Sequence, residues 1–440
     1  MTLSERVQRA GNARVDTSRT DADLIEELRE QLRDVVSIDE LAKLAQTNPE
    51  RARNEVRSAC RRVFDGSNWT HSDRDLEQRL IAQLLDIIFG FGLLEEFLAD
   101  ESITEIIANG PNRVFIERGG KLELTDRAFA DSAELRALID RILGPLGRRI
   151  DESSPMVNAR LPQGHRVNVV VPPIALDGPY VTIRKFASHV ITLEEMQDMG
   201  SVDAALRTFL IWAVRARRSI AVSGGTGSGK TTLLNALSCV IPHEERIVTI
   251  EDSAELRFHT HPDVARLEAR PRNAEGEGEV TIRDLVINAL RMRPDRIIVG
   301  ECRGAEAIDM LQAMNTGHDG SLTTLHANSP AESIARLATM VRYESDLPID
   351  VVEANIATAI HLVVQTQRAL DGSRRVSEVV SFSYDRDRGR CIVNPIYWRA
   401  IDADEGTWTC APEWLDDLPL RGVADREEVV AWKLECSLES

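Results

Sequence analysis

The segment at residues 224–231, with the sequence GGTGSGKT, constrains the fold of this chain more than any other feature. It matches the full pattern G-x-x-x-x-G-K-[ST], in which glycines let backbone N–H groups wrap phosphates that bulky side chains would exclude. An apolar run precedes it and a helical pattern follows it, which is the context that a phosphate-binding loop needs. A glycine-rich turn of chance spacing is the alternative. The sequence therefore predicts an α/β fold with a nucleoside triphosphate site.

The same motif assigns roles to individual residues. Lys230 is predicted to reach the β- and γ-phosphates, and the Thr231 hydroxyl is placed to ligate Mg²⁺. The helix that begins here would direct its positive end at the same anion. The predicted cofactors are therefore ATP and Mg²⁺. The predicted nucleotide-binding residues of the segment are Gly225, Thr226, Gly227, Ser228, Gly229, Lys230, Thr231 and Thr232.

Composition narrows the choice of partner and compartment. The formal net charge is -18, the pI is about 5.1, and aromatic residues make up 5% of the chain. Such a chain is repelled by phosphate backbones unless it carries a local basic patch, so nucleic acid is not an expected partner. We find no secretory signal, no apolar run long enough to span a membrane, and no C-x-x-C pair among the 6 cysteines. We therefore expect a cytoplasmic protein.

Four segments can be distinguished along the 440 residues. Residues 1–72 are polar and are expected to form a flexible and helical extension. Residues 73–190 carry short strand patterns and turns, which are typical of a small α/β domain. In residues 191–400 apolar strand patterns alternate with helical ones, which indicates a mainly parallel sheet covered by helices on both faces. Residues 401–440 are acidic and irregular, and we expect a C-terminal tail.

Periodicity and turn residues predict individual elements within the two α/β domains. In the smaller domain the predicted strands are residues 103–108, 114–117, 121–124, 156–161, 167–171 and 180–184, and the predicted helix is 132–143 with Asp131 as its cap. In the larger domain the predicted strands are residues 219–223, 246–250 and 296–299, and the predicted helices are 203–216, 230–240, 282–291 and 305–315. A further helix is predicted at residues 76–89.

An acidic segment follows the second apolar strand pattern of the larger domain. It contains Glu251, Asp252 and Glu255. Ligands of open α/β sheets bind at the carboxyl ends of the strands, so these carboxylates could hold metal-bound water or accept its proton. A solvated acidic turn is the alternative interpretation.

A third apolar run, at residues 295–301, also ends in an acid. It is similar to a Walker B strand, although Gly300 and Glu301 stand where many P-loop enzymes carry aspartate. The alternative role for Glu301 is to cap the helix that follows.

A fourth motif identifies a family resemblance. Residues 317–328, with the sequence GHDGSLTTLHAN, resemble the histidine box of the type II/type IV secretion ATPase superfamily. Residues 251–255 resemble its aspartate box, and the run before Glu301 resembles its Walker B motif. The resemblance covers roughly residues 75–385. It implies a RecA-like P-loop domain preceded by a small PAS-like α/β domain, and a hexameric ring.

Two further segments narrow the resemblance. RMRPDRIIVGE at residues 291–301 and LPQGHRVN at residues 161–168 look most like the CpaF-like ATPases of tight-adherence (Flp) pili. The tetracysteine zinc module of many type II secretion relatives is absent from the sequence. Residues 1–70 and the acidic segment after about residue 400 lie outside the resemblance.

The resemblance implies roles for residues beyond the phosphate loop. Glu255 matches a carboxylate that orients or deprotonates the attacking water, and Glu301 matches the Walker B glutamate near Mg²⁺. Which of the two is the general base stays open. His326 matches a residue that senses the γ-phosphate, with His318 as its weaker companion; a histidine satisfied within the core is the alternative.

Three arginines of the smaller domain, Arg160, Arg166 and Arg184, match arginines that the family offers to the phosphates. Guanidinium groups stabilise a transferring phosphoryl group and can link its hydrolysis to domain movement. Arg184 is grouped with the catalytic residues because the whole segment at residues 181–186 matches. Each of the three could instead be a surface charge of little energetic weight.

The predicted function is therefore that of a hexameric cytoplasmic ATPase that powers assembly of a type IV-like (Flp/Tad) pilus or a related secretion system. It would work at the cytoplasmic face of the inner membrane, against a platform protein, by closing its N-terminal domain about the linker at residues 186–193. Three alternatives stay open: a nucleotide-gated scaffold with little turnover, a pilus-retraction motor, and a nucleic-acid motor.

Overall fold

The computed structural model describes residues 21–36, 41, 44, 49–66, 74–146, 148–161, 163–186, 190–258, 260–270, 272, 277–369, 371–400 and 403–438. The chain divides into two compact units, Met1–Ala187 and Ser188–Ser440. Among the described residues, no helix is long and apolar enough to cross a membrane.

Three helices among the described residues of the first unit share one apolar core. They are α1 (Asp21–Val35), α2 (Pro49–Gly66) and α3 (Arg74–Phe89). Each contributes apolar residues that recur on one face, such as Leu80 and Leu84 of α3, which are fully buried. The helix predicted at residues 76–89 is thereby confirmed.

A six-stranded antiparallel sheet forms the rest of the first unit, in the order β3-β2-β1-β6-β5-β4. The short helix α4 (Glu95–Ala99) precedes the sheet, and α5 (Ser132–Leu143) packs into the same apolar core as the strands. The predicted cap is confirmed, since the Asp131 side chain accepts hydrogen bonds from two backbone N–H groups of α5. All six predicted strands are confirmed: β1 (Ile103–Asn109), β2 (Val114–Arg118), β3 (Lys121–Leu124), β4 (Met156–Arg160), β5 (Arg166–Val170) and β6 (Tyr180–Arg184).

A nine-stranded sheet is the centre of the second unit, in the order β15-β14-β13-β12-β7-β11-β10-β8-β9. The strands from β12 to β9 in that order are parallel, and β13 to β15 extend one edge antiparallel. The strands are β7 (Ile220–Gly224), β8 (Ile247–Glu251), β9 (Val264–Glu268), β10 (Arg296–Cys302), β11 (Leu322–Leu325), β12 (Leu362–Arg368), β13 (Arg374–Asp385), β14 (Arg390–Trp398) and β15 (Thr407–Trp408).

Helices cover both faces of this sheet, as the alternating sequence pattern predicts. Successive residues of β7 enter different cores: Ile220 and Val222 join one, and Ala221 joins the other. The first core also holds α6 (Leu193–Asp198), α7 (Ala204–Arg215), α8 (Lys230–Ser238) and α13 (Arg426–Glu435). The second core holds α9 (Ile282–Ala289), α10 (Glu306–Asn315), α11 (Pro330–Val341) and α12 (Ile349–Ala359).

The amino ends of the parallel strands are fastened by a buried ion pair that the sequence did not reveal. Arg296, the first residue of β10, is fully buried and forms a salt bridge with Glu245. Its guanidinium also donates to the carbonyl oxygens of Gly320, at 2.9 Å, and Val214, at 2.9 Å. Burial lowers the pKa of Arg296, and the bond to Glu245 counteracts that effect. The group therefore joins four segments of the chain at one end of the sheet.

The acidic C-terminal segment is folded between residues 403 and 438, although its composition favours an irregular tail. Trp408, Trp414 and Trp432 surround Phe209 of α7, with ring centroids 5.2, 5.3 and 5.9 Å from it. The Trp432 indole N–H also donates to the Ala205 carbonyl oxygen at 3.0 Å. A few aromatic residues are enough to hold this segment against α7, because each tryptophan can bury on the order of 150–250 Å² of surface.

Candidate nucleotide site

The phosphate-binding loop connects β7 to α8, as its motif predicts. Gly224 ends β7 beside Thr366 of β12, and a Cβ at residue 224 would lie 2.4 Å from the Thr366 hydroxyl oxygen. Gly229 caps α8 with a φ of 95°, a left-handed conformation that side chains disfavour. Both glycines are therefore required by the backbone path. Thr231 and Thr232 are half-buried in the first turn of α8.

The polar side chains of the loop bind its own backbone. The Lys230 ammonium donates to the carbonyl oxygens of Gly224, at 3.0 Å, and Gly225, at 2.7 Å. Ser228 is buried, donates to the Gly225 carbonyl oxygen at 2.9 Å, and its hydroxyl oxygen lies 2.8 Å from that of Thr366. Burial lowers the pKa of Lys230, and the carboxylate of Glu301 opposes this shift. The lysine is thus held at the loop, within the field of an acidic partner.

Glu251, the last residue of β8, organises the acidic segment that follows. It is 3% exposed, and its Oε1 accepts hydrogen bonds from the backbone N–H groups of Glu255, at 2.7 Å, and Leu256, at 3.0 Å. Its Oε2 is buried without a hydrogen-bond partner among the described residues. Burial raises the pKa of Glu251, against the two backbone hydrogen bonds. This carboxylate holds the backbone of the half-buried Glu255 in place.

The same contact explains the unusual glycine in the Walker B-like strand. A Cβ at Gly300 would lie 2.9 Å from Cγ of Glu251, on the neighbouring strand β8. A Cβ atom in a folded protein essentially never lies within about 3.0 Å of a non-bonded heavy atom. Gly300 therefore stands where many P-loop enzymes carry aspartate because the side chain of Glu251 occupies that space.

Glu301 lies beside Gly300 on β10 and forms an ion pair with Arg303. The Arg303 guanidinium donates to Glu301 Oε2 at 2.7 Å. Burial alone would raise the pKa of Glu301, but the hydrogen bond from Arg303 and the charge of Lys230 hold it below its ordinary value. Glu301 is therefore an ionised carboxylate with two cations around it.

His326 follows β11 and meets the same charges. Burial lowers the pKa of its imidazole, the positive charge of Lys230 lowers it further, and Glu301 opposes the shift. Arg303 in turn interacts with Glu301 and with the carboxylates of Asp252 and Glu255. The predicted residues of this unit therefore gather at the carboxyl ends of β7, β8, β10 and β11, where a P-loop fold places its reacting phosphate.

His318, predicted as a weaker companion of His326, lies elsewhere. It precedes β11, whereas His326 follows it, and its Nδ1 lies 3.2 Å from the Ala313 carbonyl oxygen. The two histidines are thus separated by the length of the strand. The two histidines are only eight residues apart in the sequence. Their separation in space was not predicted, because residues 322–325 were not expected to form a strand.

The three predicted arginines of the first unit lie in one row. Strand register pairs Arg160 with Arg166 and Arg166 with Arg184, across β4, β5 and β6. Arg184 also lies opposite Glu105 of β1, with a nitrogen–oxygen distance of 3.7 Å. Arg160 donates to the Gly164 carbonyl oxygen at 3.3 Å, and its guanidinium is 5.7 Å from the ring centre of Phe186. The sequence separation of these arginines conceals a continuous basic row.

Two residues of the site were not among the predicted site residues. Arg303 comes directly after the Walker B-like strand. The sequence feature that could have identified it is a positively charged residue two positions after Glu301. Glu251 was treated only as one of three acids in its segment, because nothing in the sequence separates the buried carboxylate from the accessible ones. Burial distinguishes them, and it depends on β8 lying between β9 and β10.

The residues present suit a magnesium ion that is bound chiefly through the nucleotide. Among the described residues, no group of three or more His, Cys, Asp or Glu side chains could hold a metal ion alone. Mg²⁺ bound with nucleotides commonly takes one or two protein ligands together with phosphate oxygens and water. Thr231 and the ionised Glu301 supply oxygen donors of that kind beside the phosphate loop.

Comparison with known proteins places the chain in a family. The family model described as "Type II/IV secretion system protein" matches residues 89–394. A putative conjugal transfer protein of Mycobacterium tuberculosis is 38% identical over 296 residues, which cover 66% of this chain and 84% of the relative. The type IV secretion system protein VirB11 of Brucella suis biovar 1 is 34% identical over 333 residues, covering 69% and 92%.

A solved structure supports the same fold. The Yersinia pseudotuberculosis ATPase DotB superposes with a TM-score of 0.50 at 18% identity, covering 68% of this chain and 80% of that one. At this identity the likeness concerns the fold alone, and it agrees with the predicted α/β architecture. Because the matched region spans well over half of the sequence and contains both the phosphate loop and the carboxylates beside it, the chain belongs to the type II/IV secretion system protein family.

Proposed function

We propose that this protein hydrolyses MgATP to power assembly of a type IV-like pilus of the tight-adherence (Flp/Tad) class, or of a related secretion system. The observation that carries the proposal is the meeting of Lys230, Glu301 and His326 at the carboxyl ends of the strands, beside the phosphate loop. The proposed place of work is the cytoplasmic face of the inner membrane, and the proposed partner is a platform protein of that system.

The enzyme class rests on the family. Members of this family and its solved neighbours include ATPases such as VirB11 and DotB. The present chain contains the complete phosphate-loop motif of that class and the acids that accompany it, so it is a P-loop ATPase. Pilus class, direction of work and oligomeric state belong to the proposal.

The proposed mechanism assigns a step to each residue of the site. When the triphosphate enters, the Lys230 ammonium moves from the loop carbonyl oxygens to the β- and γ-phosphates. Thr231 and Glu301 would hold Mg²⁺, which neutralises charge on the phosphates. Glu255, whose backbone Glu251 fixes, receives the proton of the attacking water. Glu301 is the weaker candidate for that base, because its lowered pKa makes it a poorer proton acceptor.

His326 is proposed to report the presence of the γ-phosphate. Its pKa is lowered by burial and by Lys230, so the imidazole is neutral at neutral pH and can donate one hydrogen bond to a phosphate oxygen. Loss of the γ-phosphate would break that bond while ADP stays on the loop. We therefore expect His326 to matter for ATP more than for ADP.

The row Arg160–Arg166–Arg184 is proposed to bring positive charge to the phosphates within a hexameric ring. Residues paired directly across neighbouring strands have their side chains on one face of the sheet, so the three guanidinium groups can approach one anion together. A bound phosphate would attract this row and could drive closure of the first unit about residues 186–193. Arg184→Ala should therefore lower turnover, whereas Arg113→Ala, an exposed arginine of the same unit, should not.

Turnover by the purified protein tests the catalytic part of the proposal. Lys230→Ala should reduce the ATPase rate to background, and Glu255→Gln should reduce kcat by about two to three orders of magnitude while ATP still binds. Glu427→Gln, an exposed acid of α13, is the matched control and should behave like the wild type. An ATPase rate in Lys230→Ala equal to that of the wild type would refute the proposal.

The same measurement separates a motor from a nucleotide-gated scaffold. A scaffold would bind ATP and hydrolyse hardly any of it. Glu255→Gln and Glu301→Gln would then change ATP binding but not the hydrolysis rate, which would already be close to zero in the wild type. A motor should show steady turnover, and its rate should rise when the protein assembles into a ring. Mass photometry with ATP or ADP, run beside the rate assay, measures the ring directly.

Cells carrying the Lys230→Ala replacement test the biological role. A motor for assembly predicts loss of surface pili, seen by electron microscopy, whereas a retraction motor predicts longer or more numerous pili. A nucleic-acid motor predicts that DNA or RNA stimulates the ATPase rate. The net charge of -18 leads us to expect no such stimulation.

A further inference from the structure

The hairpin of β12 and β13 touches the phosphate loop on the side away from the catalytic acids. Thr366 of β12 lies in register with Gly224, and its hydroxyl contacts the Ser228 hydroxyl at 2.8 Å. The same hydroxyl donates to the Ser223 carbonyl oxygen at 3.0 Å. The hairpin is therefore bound both to the loop, at Ser228, and to the strand that leads into it, at Ser223.

Two arginines near the tip of this hairpin lie over the loop. Arg374 Nε donates to the Gly227 carbonyl oxygen at 3.0 Å. The stem of Arg374 covers Gly229, where a Cβ would lie 3.2 Å from its Cδ. The guanidinium of Arg368 is also close, 3.5 Å from the place where a Cβ of Gly227 would stand. The two cations thus border the residues whose N–H groups receive phosphate.

The register of the hairpin places these two arginines side by side. Arg368 and Arg374 are directly opposite each other in the antiparallel register, and both are exposed. Residues that are directly opposite in an antiparallel pair have their side chains on the same face of the sheet. Asp371, in the turn between them, bonds the backbone N–H and hydroxyl of Ser373. The pair therefore brings positive charge to the edge of the phosphate loop, which suits an anionic ligand.

The order of the strands decides which end of a nucleotide this hairpin meets. Strand β7, which leads into the loop, lies between β11 and β12. His326 follows β11, and Glu301 lies on β10. Both strands are on the same side of β7, so a γ-phosphate must point to that side. The hairpin lies on the other side, where the α-phosphate and the ribose would emerge.

We propose that Arg374, with Arg368 opposite it, binds the α-phosphate–ribose end of the nucleotide in the same subunit. The contact is shared by ADP and ATP, so it sets the affinity for both and retains ADP after hydrolysis. This inference rests on the proposed nucleotide site. The two arginines add binding residues on the second side of that site and take no part in cleaving the γ-phosphate.

Nucleotide affinity measured by calorimetry tests the inference. Arg374→Ala should weaken ADP and ATP by the same factor, about tenfold, which corresponds to the loss of one charge-assisted hydrogen bond. The loss should appear in KM rather than in kcat. Arg374→Lys should recover part of the affinity, because the charge remains while the forked donor is lost. Arg390→Ala is the matched control, an exposed arginine of β14 in the same sheet, and should bind like the wild type.

Three outcomes would overturn the inference. ADP affinity within twofold of the wild type in Arg374→Ala would remove the contact. A weakening confined to ATP would move the arginine to the γ-phosphate. A fall in kcat as large as the rise in KM would show that Arg374 only shapes the loop. If the wild type itself bound no ADP, the proposed function would fail first, and the arginine variants would not be needed.

Discussion

The two ends of the parallel sheet in the second unit use similar charged residues for opposite purposes. At the amino end, the buried Arg296 is matched by Glu245 and by two carbonyl oxygens. At the carboxyl end, Glu301 and Arg303 are accessible, and Glu251 keeps one buried oxygen without a partner among the described residues. A saturated network fixes a structure, whereas an incompletely satisfied one retains capacity for a ligand. Charged groups with a structural role in this sheet thus have all their hydrogen bonds made, whereas the groups beside the phosphate loop do not.

The first prediction tests the saturated end and has the largest expected effect. Arg296→Ala should lower the free energy of unfolding by about 3 kcal/mol, because two buried carbonyl groups lose their donor and Glu245 keeps only its ion pair with the half-exposed Arg217. Urea unfolding followed by tryptophan fluorescence measures it, since only Trp69 lies outside residues 188–440. Arg291→Ala, an exposed arginine nearby, is the control. If the two variants were equally stable, Arg296 would matter no more to stability than an exposed arginine, and the proposed difference between the two ends of the sheet would be wrong.

The second prediction concerns space at the carboxyl end. Gly300→Ala should cost about 1–3 kcal/mol, since its Cβ would press on the side chain of Glu251. Gly225→Ala, where a Cβ meets nothing within 4 Å, is the control for stability. Adding Glu251→Ala should relieve the crowding, so the double variant should be more stable than the sum of the single effects predicts. Strict additivity would mean that the two residues do not compete for space.

The third prediction uses pH at the amino end. The imidazole Nδ1 of His361 accepts the Ser219 backbone N–H at 2.9 Å, and burial lowers the pKa of His361. The unfolded chain therefore binds this proton more tightly than the folded one. The stability contributed by His361 is complete above its ordinary pKa of about 6.5 and falls as pH decreases below that value, by about 1.4 kcal/mol for each unit of pKa difference.

His361→Asn tests this prediction, because the asparagine oxygen can accept the same bond without taking up a proton. Unfolding free energies measured between pH 5 and 8 should decline less steeply on the acid side for the variant than for the wild type. Parallel pH curves would show that His361 is not responsible for the decline.

The fourth prediction has the smallest effect on stability. Arg303→Gln should change the free energy of unfolding by less than about 1 kcal/mol, because the Arg303 side chain of its ion pair with Glu301 is exposed. Turnover should respond, since without the Arg303 hydrogen bond the pKa of Glu301 rises and the acid limb of the pH–rate profile moves to higher pH. Arg388→Gln, which breaks another exposed pair, is the control. A large loss of stability would assign Arg303 to the scaffold.

Local patterns were sufficient for much of the fold. The six strands of the first unit, the β7–loop–α8 element and the Asp131 cap follow from turn residues, apolar runs and helical spacing. Strands β9 and β11 to β15 were not predicted. Residues 322–325, LTTL, are not an apolar run by themselves, and pairing with β7 is what makes β11 and β12 strands. The C-terminal segment was expected to be an acidic tail, and the packing of its tryptophans on α7 could not be seen from its composition.

The phosphate loop, its lysine and the acids that accompany it can be predicted from the chain alone, because each motif consists of residues that are close in sequence. The folded chain is needed to show which carboxylate is buried, why Gly300 replaces an acid, and which arginines border the loop. These properties depend on burial and register, which follow from strand order. Strand order brings together residues more than a hundred positions apart, such as Gly227 and Arg374.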